Sequence, residues 1–491
     1  MKDRFTLKNC LILLLLAFGV LSIFSTSSFL YSTNPWSDAN VFFTIGRGIV
    51  DGKRMYIDLF DHKGPLTYWL YALAALISSH SFIGVFLLEV IAFFFFLLFT
   101  QKTVQIYHSG NHYFALIVMA LVTVSGSAFN FGGGSVEEYA LPVFTGILYL
   151  ALKTIHERKS FRASFCIWTG IALAFTFFMK YSMCGFFIGL ALAVIIYQYR
   201  IDRKQVLPCI GIVIGTFAAI AGVMCLILYA NGIFSAFVET YFHFNLSNYA
   251  TTGSRILVLA RAFTRTLLWY AKNNILSIPF IVLAILLFLF SKDRSRDEKW
   301  LLVLTFVFWY GVLMVGGQSI HYYVYPFYMY SFTVICCLES LSGNWKKAGA
   351  VVCAALCAGS FVVSANLPRL GKQDVIQNEL DAVMKQYTDH PTMLMYHAYD
   401  EGFYLKENYI PSCRYFTSVN TEIADFDTVS LSCIAQQQYD FLIAMSNDPS
   451  SPAELDVEGY ELLEQRASRY LYDGKTRVYS LYIRSDLLKQ K

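Results

Sequence analysis

The apolar residues of this chain arrive in long blocks separated by short basic clusters, and that pattern decides most of what it can become. LILLLLAFGVLSIF begins at Leu11 and FFFFLLF at Phe93. A run of roughly 20 apolar residues is long enough to cross the hydrocarbon core of a bilayer as a helix. No water is available there to bond the backbone, so a succession of such blocks commits the chain to a helical membrane bundle. Composition excludes the other classes. Of 491 residues 56% are hydrophobic and only 15% are charged, against roughly a quarter charged in soluble domains. The formal net charge of +4 supplies no basic field for a polyanion, which removes nucleic acid as a partner.

Eleven spans are expected, at roughly 10–30, 82–101, 112–130, 140–154, 163–179, 183–199, 207–231, 274–291, 299–315, 322–340 and 347–364. The block Leu66 to Ser78 is decided by parity. Read as a full span, it turns HERKSFR (156–162), RIDRK (200–204), KDRSRDEK (292–299) and NWKK (344–347) outward, against the positive-inside rule. Read as a short interfacial or re-entrant helix, it leaves all four on the cytoplasmic side with Lys2, Arg4 and Lys8. The first block resembles a signal peptide but lacks a small-residue cleavage site, so it reads as a retained helix. The N-terminus is then cytoplasmic and the C-terminus outside.

From about Leu367 the sequence turns polar. TMLMYHAY, YDFLIAMS and TRVYSLYIR read as strands, with DVIQNELDAVMKQY helix-like between them. The expected architecture is an all-α polytopic membrane domain over 1–366, with about 11 transmembrane helices and interfacial helices in the outer loop 31–81. A small C-terminal α/β extracytoplasmic domain covers 367–491. Nine of the eleven Cys lie in or beside apolar blocks; only Cys413 and Cys433 lie in polar sequence, where a disulfide is permitted and not required.

The unusual polar residues gather on the outer side. DANVFFTIGRGIVDG puts Val41, Ile45 and Ile49 on one helical face, with Asp38 at its start, as a helix cap or as a functional carboxylate. Asp58, Asp61, His62 and Lys63 crowd six residues before Gly64-Pro65, as a solvated turn or as part of a site. Glu137 and Glu138 precede a span. Lys180 sits between two apolar helices, where an ammonium needs an anion or water. His321 and Tyr322 stand at a span entrance, the tyrosine reading as an ordinary interfacial belt residue. Arg255, Arg261, Arg265 and Lys272 alternate with apolar residues, as a surface-binding stripe or as a phosphate site. An enzyme acting on a membrane-embedded substrate needs a carboxylate to accept a proton and cations to hold a leaving phosphate. Asp38, Glu137 and Glu138 supply the first; Lys63, Lys180, His321 and the arginines supply the second. A transporter or lipid flippase is the alternative, resting on the mid-span Glu89; a non-catalytic scaffold presenting the outer domain is the third.

These residues resemble the GT-C superfamily of polyprenyl-phosphate-dependent glycosyltransferases, in its bacterial branch related to protein O-mannosyltransferases and the aminoarabinose transferase of lipid A. The resemblance covers roughly residues 8–364 and rests on SDANVFF with Asp38, the spacing of Tyr56, Asp58, Lys63, Pro65 and Leu66, VEEY with Glu137 and Glu138, and HYYVYPFY. It implies inverting transfer of one sugar from a polyprenyl-phosphate carrier to an envelope glycan, lipid or protein acceptor at the outer face of a bacterial plasma membrane. Asp38 would be the catalytic base. Glu137 or Glu138 would bind acceptor or a divalent cation (Mg or Mn). The pair here is Glu-Glu where the family has Asp-x-Glu, so no metal requirement is assigned. Lys63, Lys180, His321, Arg255 and Arg261 would bind the donor phosphate, with Asp58, Asp61 and His62 beside them in the first loop.

Overall fold

The structure is a computed structural model, described for residues 6–126, 129, 133–248, 255–314, 321–372, 375–437, 439–469 and 475–489. The chain opens with α1 (Leu7–Phe24), two shorter helices, α2 (Ser37–Val50) and α3 (Pro65–Ile77), and the long α4 (Ile83–Val104). There follow α5 (Tyr113–Val124), α6 (Val136–His156), α7 (Ala163–Lys180), α8 (Gly185–Asp202) and α9 (Val206–Ala230). The membrane-type sequence ends with α10 (Arg255–Asn273), α11 (Ile278–Phe290), α12 (Arg296–Leu313), α13 (Ser331–Glu339) and α14 (Gly343–Val363).

Among the described residues, five helical stretches are long and apolar enough to cross a membrane, or six if the pair α10–α11, bent by 114°, counts as one. One of the five is the run Ala163–Ala230, in which α7, α8 and α9 follow one another through 3₁₀ turns. On length and hydropathy the count of eleven is therefore not reached. α5 has 12 residues and α13 only 9, while α12 opens on Arg296, Asp297, Glu298 and Lys299. The bundle is nonetheless built for an apolar solvent. α9 buries only Cys209 and Leu228, leaving Leu207, Ile214, Val223 and Leu226 exposed, and no water-facing helix survives with so wide an apolar surface.

Three of the basic clusters meet at one end of the bundle. Arg200 pairs with Asp297, His156 lies 3.1 Å from Glu298, and the Tyr107 hydroxyl donates to Glu298 at 2.9 Å. The opposite end carries α2 and α3. The block that parity reads as a short helix is α3, 13 residues opened by Pro65. α2 crosses α3 at Gly46, where a Cβ would stand 2.5 Å from the Tyr71 carbonyl carbon, so no larger residue fits. Val41 and Ile45 are buried in that packing.

Beyond α14 the chain forms α15 (Ile376–Met384), β1 (Met393–Met395), α16 (Phe426–Gln437), β2 (Phe441–Ser446), β3 (Tyr460–Arg469) and β4 (Thr476–Arg484). The sheet order is β1-β2-β4-β3, with β1 parallel to β2 and the other pairs antiparallel. Three strands fall where alternation and clustering put them; β3 was not foreseen. Cys413 and Cys433 form a disulfide with their Cα atoms 5.7 Å apart. It spans 20 residues of chain, and a loop of that size constrains the unfolded state by about 3 kcal/mol. Cys413→Ser/Cys433→Ser is thus expected to lower the urea midpoint of the C-terminal sheet, followed by limited proteolysis; an unchanged midpoint contradicts this.

This sheet unit is fastened to α2 and the loop that follows it. The Thr44 hydroxyl donates to Asp400 at 2.7 Å, Arg47 donates to the Tyr404 carbonyl and to Asn408 at 3.2 and 3.0 Å, and the Phe60 amide donates to the Arg414 carbonyl at 2.9 Å. Burial pushes the Asp400 carboxyl up to about 6.

Candidate active site

The site begins with a helix that has no side-chain cap. Trp36 is the N-cap residue of α2 and makes no capping hydrogen bond. Asp38, in the first turn, points its carboxylate at Lys63, with Oδ2 3.9 Å from Nζ. Of the two readings open for Asp38, the geometry takes it out of the capping role.

The loop 54–64 is shaped to present Lys63. Tyr56 adopts φ 67°, a left-handed conformation a tyrosine takes only when its surroundings hold it there. Its amide donates to the Leu59 carbonyl and its hydroxyl to the Lys63 carbonyl, both near 2.8 Å. The Tyr68 hydroxyl accepts from the Lys63 amide at 2.9 Å and donates to Asp61 at 2.8 Å. Gly64 closes the approach: its amide donates to the Met179 carbonyl at 3.0 Å, and a Cβ there would lie 2.0 Å from the Phe178 carbonyl oxygen. That contact sets the Lys63 loop directly against the end of α7, which carries Lys180.

A line of polar groups results. Lys63 Nζ lies 3.3 Å from His62 Nε2. An ammonium only donates, so Nε2 accepts, and the other ring nitrogen faces Asp61 at 3.5 Å. Burial and then Lys63 push the imidazole down to about 3, so His62 is neutral at physiological pH. Asp61 is buried, which raises its carboxyl, but Lys63, His62 and the hydrogen bonds around it hold it below the usual range. Burial dominates at Asp38 and raises its carboxyl, against the opposing pull of Lys63; Asp61, Lys180 and Glu137 are also within electrostatic reach.

Lys180 completes the group. Its Nζ donates to Glu137 Oε1 at 2.6 Å and stands over the rings of Tyr322 and Tyr323, at 4.6 and 5.1 Å from their centroids. Glu137 is only 2% exposed on its side chain and Lys180 15%. Glu138 turns the other way: Oε2 accepts from the Gly134 amide at 3.0 Å, beside Glu89, whose carboxylate accepts from Ser25 at 2.9 Å. A short π-helical turn (Val238–Phe244) holds both sides of the mouth. Tyr241 donates to the Phe177 carbonyl and accepts from the Tyr181 amide, and Asn245 donates to the His62 carbonyl at 2.9 Å.

The structure therefore gathers Asp38, Asp61, His62, Lys63, Glu137 and Lys180. Asp58 does not join them: it takes up the Arg54 amide and guanidinium at 2.7–3.2 Å and closes its own turn, which keeps its carboxyl low. Arg261 is exposed on α10 and makes no contact with the cluster among the described residues. The side chains of Arg255 and His321 lie outside the described part. Tyr322 and Tyr323 pack on Lys180, a role the belt reading missed, and Tyr68 and Asn245 carried no signal in isolation. Among the described residues no three His, Cys, Asp or Glu side chains form a group able to hold a metal. Asp38 and Glu137 each face a lysine instead, a donor set that does not suit a divalent cation, and no step is routed through one.

The fold has structural relatives. The chain is similar to ArnT from Cupriavidus metallidurans bound to undecaprenyl phosphate, with a TM-score of 0.56, 11% identity, and 96% of this chain and 97% of that one covered. It has the GT-C fold. The oligosaccharyltransferase of Archaeoglobus fulgidus in its apo form is also similar, at a TM-score of 0.50 and 10% identity over 90% of this chain and 70% of that one. At such identities the GT-C likeness is one of fold. No protein-family model and no curated protein matches the sequence.

Proposed function

We propose that the protein is an integral membrane glycosyltransferase that moves one sugar from a polyprenyl-phosphate carrier to an acceptor at the outer face of the membrane, with inversion. The observation that carries the reading is Asp38, half-sheltered, with Lys63 3.9 Å away and the Lys180–Glu137 pair within electrostatic reach. In the reaction, Asp38 takes the proton from the acceptor group. The freed lone pair bonds the anomeric carbon from the face opposite the phosphate, and the carbon–oxygen bond to the phosphate breaks with its electrons passing to the phosphate. Lys63 and Lys180 receive that charge, as oriented cations do most effectively in a site with little water. His62, neutral, keeps Lys63 on the Asp38 side rather than adding a third charge.

Further support comes from a solved structure bound to undecaprenyl phosphate, whose fold matches this chain over nearly the whole length of both. The Cys413–Cys433 bridge suits an oxidising compartment, hence an extracytoplasmic C-terminal unit, and Lys2, Arg4 and Lys8 before the first apolar block favour a cytoplasmic N-terminus. The membrane and C-terminal portions are proposed to divide at 366/367. The test is purified protein in lipid nanodiscs given radiolabelled undecaprenyl-phosphate hexoses and pentoses with solubilised cell envelope. Labelled envelope product is expected. Retention of lipid with no transfer from any donor, or movement of the lipid across the bilayer with no covalent product, overturns the reading.

A further inference from the structure

A slot runs inward from the end of the bundle where the basic clusters meet, and the reaction does not use it. α8 is drawn onto α12: a Cβ on Gly185 would lie 2.4 Å from the Phe308 carbonyl oxygen, and one on Gly189 2.2 Å from that of Leu304. α7 is drawn onto α9 in the same way, since a Cβ on Gly170 would stand 2.8 Å from the Val213 carbonyl oxygen. Between the two pairs remains a cavity of about 250 Å³. Cys166, Leu190 and Cys209 form part of its buried floor, and Ala191 and Ile214 lie on its exposed rim. One wall follows α8 from Phe187 to Gln198, about 16 Å of helix. That is half the roughly 30 Å hydrocarbon core, the depth of one leaflet.

The slot has nothing to offer water. Thr169 and Gln198 are its lining residues with a hydroxyl or an amide, and both side chains are spent elsewhere. Thr169 donates to the Phe165 carbonyl at 2.8 Å. Gln198 accepts from the Phe161 amide at 2.9 Å and donates to the Ser160 hydroxyl and the Asp202 carbonyl at 2.8 and 3.1 Å. An apolar cavity of roughly 150 Å³ already stays dry and takes up hydrocarbon. This one is larger and opens along its rim.

The same Gln198 bonds set charge at the end of the slot. They hold residues 160–161 against the end of α8, while Cys209 Sγ meets the Phe161 carbonyl at 3.8 Å from the α9 side. Arg162 comes just before Phe165, and Arg203 and Lys204 come just before Val206, both lining residues. All three cations are exposed, and none is in an ion pair among the described residues. The acids nearby are engaged: Asp297 with Arg200, Glu157 with Lys159, and Asp202 with the Lys204 amide.

We propose that this slot binds one acyl chain of an anionic phospholipid, whose phosphate head group is held by Arg162, Arg203 and Lys204. A free anion leaves the apolar trough empty, and a lipid without net charge leaves the cations unanswered. A chain and a negative head group on one molecule satisfy both. The inference needs only the membrane setting and does not draw on the transferase reading.

The test titrates full-length protein in detergent micelles with dioleoyl phosphatidylglycerol or dioleoyl phosphatidylcholine and counts bound lipid by native mass spectrometry. The anionic lipid is expected to bind at least about tenfold more tightly, each cation contributing about fivefold. Arg162→Gln/Arg203→Gln/Lys204→Gln is expected to bring phosphatidylglycerol down to the level of phosphatidylcholine. Ala191→Phe, which fills the slot from its exposed rim, is expected to weaken both lipids by at least about fivefold, the worth of a displaced methylene or two. Leu192→Phe, exposed on the same helix but outside the slot, is expected to change neither. All these positions lie at the surface, so Tm is expected to stay within a degree or two of wild type. Equal affinity for the two lipids overturns the inference, as does a preference that survives the triple substitution. Binding unaltered by Ala191→Phe places the lipid elsewhere and overturns it too. Displacement of phosphatidylglycerol by undecaprenyl phosphate at equal concentration assigns the slot to a polyprenyl tail instead.

Discussion

Asp38→Asn is expected to transfer sugar at least about a hundredfold more slowly than the wild type, because a positioned general base contributes roughly 10²–10⁴ in rate. Asparagine keeps the size of the side chain and still hydrogen-bonds, but it cannot take up the proton. Undecaprenyl phosphate binding should survive, since the cations near the phosphate are untouched. Initial rates of labelled product and lipid retention on the purified variant separate the two, and transfer at the wild-type rate removes Asp38 from the base role. The pH profile offers a second reading of the same group. Burial raises the Asp38 carboxyl above the ordinary aspartate value. The base works only when ionised, so activity should fall as pH drops through that raised pKa, at a higher pH than a free aspartate would give. Lys63 opposes the rise. Lys63→Met should move the acidic limb further up, and a limb at the ordinary aspartate position in both proteins contradicts the burial argument.

The fold was legible in the sequence where one residue pattern answers to one environment. Apolar blocks became helices that leave wide apolar surfaces exposed, and the parity of the basic clusters singled out a short helix that appears as Pro65–Ile77. The count of eleven spans is not reached on length and hydropathy among the described residues, because an apolar block need not form one long helix. Around 322–340 the apolar block breaks into a 3₁₀ turn (His321–Val324), a four-residue helix that includes Pro326, and Ser331–Glu339. Such fragments are tolerated in a membrane where neighbouring protein covers their backbone; here Tyr325, Phe327 and Tyr328 are fully buried. The missed strand has another cause. YELLEQRASR is rich in helix formers, and it is an edge strand paired only with Thr476–Arg484, largely exposed along its length. Its pairing with that strand overrides its propensity, and no local pattern announces such a pairing.

Residues of the site were legible singly and not in their pairings. Glu137 and Glu138 are adjacent, and sequence gave no means to choose between them. The helix separates them by about 100°, so one reaches Lys180 and the other turns to Gly134 and Glu89. Asp58 looked as promising as Asp61 until Arg54, four residues earlier, claimed it. The aromatic rings on Lys180 come from 142 positions further along, and Asp400 meets Thr44 across 356. Contacts of that separation have no periodicity to betray them. The contacts of the C-terminal unit with α2 were therefore invisible, although three of its four strands were not.

The pairing that sequence could not supply carries the largest stability effect. Lys180 and Glu137 lie 2.6 Å apart with little solvent around either. Removing one partner of such a pair strands a buried charge and costs about 3–5 kcal/mol, whereas replacing both by neutral groups of similar size costs far less. Lys180→Met and Glu137→Gln are each expected to lower Tm in nanodiscs clearly, and the double variant to recover most of the loss. The two lesions should differ in function. Lys180 is assigned to the leaving phosphate, so Lys180→Met and the double variant are expected to lose undecaprenyl phosphate affinity by at least tenfold, about the worth of one charge-assisted hydrogen bond. Glu137→Gln releases the ammonium and should bind the lipid at least as well as wild type. Recovery of lipid affinity together with stability in the double variant would mean that Lys180 serves the fold alone. Losses in the single variants that simply add would mean that the two charges do not depend on each other.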